Sequence, residues 1–105
     1  MIANDIQTAF DDPKWANYMN SIFALMLQNG ICPDDKNYFE SQPIWANIKQ
    51  TVNAIMIKNN IKTHTVTLSD LVDTCDGECL KAAFTISYLN ESKIDTLTVD
   101  LYSEY

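Results

Sequence analysis

The chain has 105 residues, with 14 acidic side chains against seven basic ones, and a formal net charge of −7. All seven basic residues are lysines. Arginine is the usual reader of phosphate and guanine, so its absence and the negative field count against direct nucleic-acid recognition. With 47% hydrophobic residues, two glycines and three prolines, the composition suits one packed domain over 1–105 rather than a disordered or loop-built chain.

No run approaches the ~20 apolar residues that span a bilayer. The segment from Met1 to Phe10 holds Asp5 and no lysine, unlike the basic start of a signal peptide. Three cysteines, an odd number, give no pairing framework. Free thiols, a cytoplasmic location and no membrane contact are the expectations.

A short helical turn is expected from Asn4 to Phe10, with Asn4 as its cap. The first strong helix runs from Pro13 to Asn29: Asp12 suits the N-cap, Pro13 the first helical position and Gly30 the stop. Trp15, Met19, Ile22, Phe23 and Met26 recur at spacings of three and four, and Tyr18, Leu25 and Leu27 are expected to widen that face. A polar connection follows from Ile31 to Gln42, in which Pro33-Asp34-Asp35 could open a single helical turn. The second strong helix spans Pro43 to Asn59, with Ile44, Ile48, Val52, Ile55 and Met56 as its stripe and Asn59-Asn60 as its end.

After Ile61 the period changes. Lys62 to Leu68 alternates and is rich in threonine, which predicts a strand. Ser69 to Asp73 reads as a capped turn or short helix. Leu80 to Leu89 alternates again, with Phe84, Ile86 and Tyr88 on one face. Asn90 to Lys93 is a turn, and Ile94 to Tyr102 returns with Leu97, Val99 and Leu101 opposite Thr96, Thr98 and Asp100. The expected class is α+β: two main N-terminal helices, in a helical part of about 4–60, packed on a sheet of about three antiparallel strands at 62–103 that ends in a C-terminal hairpin.

Chemistry-bearing patterns are sparse. In Asp73-Thr74-Cys75-Asp76-Gly77-Glu78-Cys79, taking Gly77 as the turn glycine of a calcium loop puts Val72 and Ala83 at ligand positions, so that register fails. Cys75 and Cys79 with distant Cys32 and His64 lack zinc spacing, and three intervening residues are one too many for a thioredoxin-like pair. Were the segment helical, Cys75 and Cys79 would share a face and could pair. His64 has no nucleophile signature around it. Asp11-Asp12 and Asp34-Asp35 are most simply helix starts, because carboxylates favour the positive end of a helix dipole. No phosphate-cradling glycine loop exists. The sequence therefore predicts no enzyme, no cofactor and no bound metal.

The remaining acids suggest a binding face. Asp70, Asp73, Asp76 and Glu78 fall in or beside the central loop, while Asp95, Asp100, Tyr102, Glu104 and Tyr105 fall on the last strand and the tail. Tyrosines beside carboxylates supply anchor area and charge against a basic surface. By size, charge and missing catalytic groups, the expected partner is a basic protein such as a toxin or nuclease. The expected role is an immunity protein that occludes the toxin's cleft. An anti-defence inhibitor of phage origin and a structural or assembly subunit are the alternatives.

Overall fold

The computed structural model describes residues 1–104 and has four helices followed by three strands: α1 (Ile2–Phe10), α2 (Lys14–Gln28), α3 (Lys36–Glu40), α4 (Pro43–Lys58), β1 (His64–Thr74), β2 (Cys79–Asn90) and β3 (Lys93–Tyr102). The class is α+β, and the strands form an antiparallel meander in the order β1-β2-β3. No helix among the described residues is long and apolar enough to cross a membrane.

Both long helices end in the same way. Gly30 and Asn60 take positive φ (66° and 61°), and the residue after each donates back into the last turn: Ile31 N–H to the Met26 carbonyl and Ile61 N–H to the Met56 carbonyl, both at 2.8 Å. This six-to-one bond satisfies a carbonyl that the helix leaves orphaned. Pro43 opens α4 at its first turn, where a missing N–H costs nothing.

Four local expectations are corrected. α1 begins at Ile2 with Met1 at its cap position, so Asn4 lies inside the helix. Pro13, not Asp12, holds the cap position of α2, although the Asp12 carboxylate still accepts from Lys14 N–H at 3.0 Å. Tyr18, Leu25 and Leu27 are exposed, so the α2 stripe is the narrower set Trp15, Met19, Ile22, Phe23 and Met26. Ser69 to Asp73 is neither turn nor helix: β1 runs on to Thr74 through a register shift between Leu68 and Asp70. That bulge adds one residue to the strand, so the inward position moves from Leu68 to Leu71 and the apolar spacing becomes three. A further segment, Pro33 to Asp35, is a turn that leads into α3, where Asp35 Oδ1 accepts from Tyr38 N–H at 3.0 Å.

One face of the sheet meets the helices. Leu68, Leu71, Leu80, Ala82, Phe84, Ile86 and Leu101 join Ile6, Phe10 and the buried stripes of α2 and α4 in one core. Aromatic rings form its centre: Phe84 touches Phe10 (centroids 5.0 Å) and Trp45 (6.4 Å), and Phe10 stacks obliquely on Trp15 (4.9 Å). The opposite sheet face carries Thr65, Thr67, Thr85, Ser87, Thr96 and Thr98, and no helix among the described residues lies over it. Alternation of apolar and hydroxyl side chains is what a sheet covered on one side requires.

Candidate partner-binding site

The corner between α1 and α2 is held by its aromatics. Phe10 is buried against Phe84, and the Trp15 indole N–H donates to the Ala9 carbonyl at 2.9 Å. Asp11 and Asp12 lie between these two anchors and project from the surface. Below them runs the far end of β3, whose tail is pinned on both sides. Ser103 N–H donates to the Leu80 carbonyl (2.9 Å), Leu80 N–H donates to Ser103 Oγ (2.7 Å), and Glu104 N–H donates to Asn20 Oδ1 (2.6 Å). The buried Ser103 hydroxyl thereby satisfies an amide that would otherwise cost about 1–3 kcal/mol.

Two adjoining hollows open between these elements. One, of 310 Å³, lies between α1 and β3 and is lined by Gln7, Phe10, Asp11 and the consecutive residues Leu97 to Asp100. The other, of 270 Å³, continues past Asp100 along Tyr102 and Glu104 and under Asp11 and Asp12. They share Phe10, Asp11 and Asp100, so they form one groove. Its lining holds four carboxylates (Asp11, Asp12, Asp100 and Glu104) and no basic side chain among the described residues. Lys14 stands nearby, with Nζ 5.2 Å from the ring of Trp15, one of the lining residues.

The expected binding residues fall into separate places. Asp100, Tyr102 and Glu104 share the groove, together with Asp11 and Asp12, which the sequence explains only as helix-start residues. Glu104 also borders a third hollow, of 480 Å³ against α2, where Glu78 joins it beside Phe23 and Leu27. Asp70 lies on the outer sheet face in the same cross-strand row as Ala83 and Asp100, and its carboxylate is 3.9 Å from Lys81 Nζ. Asp73 and Asp76 belong to the β1–β2 hairpin end, where Cys75 (φ 55°), Asp76 (φ 56°) and Gly77 (φ 85°) turn in the left-handed region. Asp95 is remote from all of these, at the opposite end of β3 across from Tyr88. Burial first, and the Asp95 charge second, raise the Tyr88 phenol above its ordinary value. Tyr105 lies outside the described residues.

The shared face proposed for Cys75 and Cys79 depends on a helix that is not formed. Cys75 is exposed in the turn, and Cys79 is buried at the start of β2 opposite Thr74. Among the described residues no three His, Cys, Asp or Glu side chains converge to hold a metal ion.

The signal that could have found Asp11 and Asp12 is weak in sequence. Two acids before a helix have an adequate local explanation, and their approach to Asp100 depends on how Phe10 docks on Phe84. Comparison with protein-family models, with curated proteins and with solved structures gives no match to this chain.

Proposed function

We propose that the chain is an acidic binding module that seats on the basic surface of a protein partner. The finer reading is an immunity protein that occludes the cationic cleft of a nuclease-type toxin in the cytoplasm. The supporting observation is the groove whose lining includes Asp11, Asp12, Asp100, Tyr102 and Glu104 and, among the described residues, no basic side chain. Clustered like charge raises the on-rate of an oppositely charged partner, and an aromatic ring beside it supplies contact area. The outer sheet face adds little charge beyond Asp100, since Asp70 is matched there by Lys81.

The test is calorimetric titration against a cationic nuclease-type toxin, at low and at high salt. Association should weaken as salt rises, and Asp11→Asn with Asp100→Asn and Glu104→Gln should weaken it at least tenfold at low salt. Binding insensitive to both salt and the triple substitution would overturn the reading.

A further inference from the structure

The groove is walled on one side by a strand edge rather than by a strand face. Side chains of alternate residues point to opposite faces, yet Leu97, Thr98, Val99 and Asp100 all line it in succession. Only the backbone edge of β3 presents consecutive residues in that way. The hydrogen-bond phase agrees. Ser103 N–H donates to the Leu80 carbonyl, and a two-residue turn joins Asn90 to Lys93. Both place the bonded pairs with β2 at the odd-numbered residues of β3, among them Leu97↔Ile86, Val99↔Phe84 and Leu101↔Ala82. The N–H and C=O groups of Thr96, Thr98, Asp100 and Tyr102 therefore point away from β2, and no backbone bond from them to any other element is present among the described residues.

We propose that this edge is a strand-addition site: an extended, lysine- or arginine-bearing segment of a partner protein pairs with β3 from Thr96 to Tyr102 as a fourth strand, with α1 as its wall. The proposal rests on the acidic-module reading above and supplies its mode of contact. A paired segment of seven residues extends about 23 Å, within the reach of β3. Main-chain bonds would give affinity and the side chains specificity, as in other edge-pairing complexes. The chemistry of the occupant follows from the lining. Asp11, Asp12, Asp100 and Glu104 flank the edge, so a basic segment is matched. A second copy of this chain, at −7, would bring like charge against like charge.

The experiment uses the full chain and a blocked decapeptide of alternating lysine and valine, followed by amide NMR and hydrogen exchange. Two further peptides carry the same charge but are N-methylated at alternate residues, in one phase or the other. Strand addition requires that one methylated phase lose at least tenfold in affinity while the other keeps it. It also requires that the Thr98 and Asp100 amides gain at least tenfold protection with the unmodified peptide. Thr98→Pro, which removes an outward donor, should fold normally by circular dichroism and abolish the protection at Asp100. If all three peptides bind alike, charge alone holds them; strand addition is then overturned and the acidic-module reading survives. If none shifts the resonances of Asp11 or Asp100, both readings of this groove fail. Self-association of the free chain through β3, seen by sedimentation with Thr98 protected, would overturn the basic occupant.

Discussion

The two outer edges of the sheet are built on different terms. The β1 edge is broken by the bulge between Leu68 and Asp70, and Lys36 Nζ reaches the Ser69 carbonyl there at 3.3 Å. A bulge spoils the register that an added strand would need, and a lysine on the edge brings charge that deters pairing. Strand β3 pairs with β2 without a shift from Lys93 to Tyr102, and the C-terminal part of its free edge opens onto a groove. Natural sheets guard their edges against chance pairing, so on the proposed strand addition an edge left regular and flanked by carboxylates would be selective, repelling acidic strands and admitting basic ones.

The largest effect tests what the two edges share. Phe84 is fully buried on the central strand and touches both Phe10 and Trp45. Phe84→Ala should cost about 3–5 kcal/mol in urea unfolding, and protection of β1 and β3 amides should fall together. Protection lost on only one strand would mean that the edges do not hang on a common core.

Next in size is a pair of prolines that reads the hydrogen-bond phase directly. Val99→Pro deletes a donor to β2 and leaves a central carbonyl unpaired, whereas Thr98→Pro deletes a donor that faces the groove. The first should be less stable than the second by about 1–3 kcal/mol, read as the difference in urea midpoints. A loss from Thr98→Pro as large as or larger than that from Val99→Pro would overturn the assignment of which groups face outward.

The guard on β1 gives a smaller effect. Lys36→Met removes an exposed hydrogen bond to Ser69, and should lower stability by no more than about 1 kcal/mol. The bulge remains, so sedimentation should still show no added self-association. Dimers formed by this variant would show that Lys36, and not the bulge, is the effective guard.

The last prediction concerns the wall of the groove and carries only a sign. Asp5 on α1 accepts from Asn59 Nδ2 at 3.1 Å and lies 3.7 Å from Lys58 Nζ, tying α1 to the end of α4. The Asn59 hydrogen bond first, and Lys58 after it, hold the Asp5 carboxyl below its ordinary value against a partial desolvation that opposes them. A depressed carboxylate contributes stability above its unfolded pKa and loses it as pH falls through the folded one. Asn59→Ala should move the Asp5 titration upward by NMR and shift the onset of acid unfolding to higher pH. An unchanged Asp5 titration would remove Asn59 as the cause.

Much of the fold was legible because burial imposes a period. The stripe Trp15, Met19, Ile22, Phe23 and Met26 is the buried face of α2, and Phe84, Ile86 and Tyr88 point inward from β2. Gly30 and Asn60 mark helix ends through a backbone need that few residues meet. The second half of β1 was hidden because a bulge imitates a helical spacing: Leu68 and Leu71 are three apart, and Ser69-Asp70 looks like a cap. Tyr18, Leu25 and Leu27 misled in the opposite sense, since apolar residues on a helix flank need not be covered. Of the groove, Asp100, Tyr102 and Glu104 were named as binding residues from their neighbourhood on the last strand. Asp11 and Asp12 are not legible in that way, because they come to share a groove with Asp100 through the Phe10–Phe84 contact, a tertiary event with no local signature.

The meander also bears on how quickly the sheet can assemble. Each strand pairs with its neighbour in the chain, through the four-residue turn Cys75–Glu78 and the two-residue turn Glu91–Ser92. Such hairpins close small loops and form on a scale of about 1–10 μs, so the strands can register before the N-terminal aromatics arrive. The slow search would then be the docking of Phe10, with Trp15 stacked on it, onto Phe84, the step that also sets Asp11 beside the groove shared with Asp100. The acidic groove would be completed only in a chain whose two halves have already found each other, so the ability to bind a partner would report on finished folding.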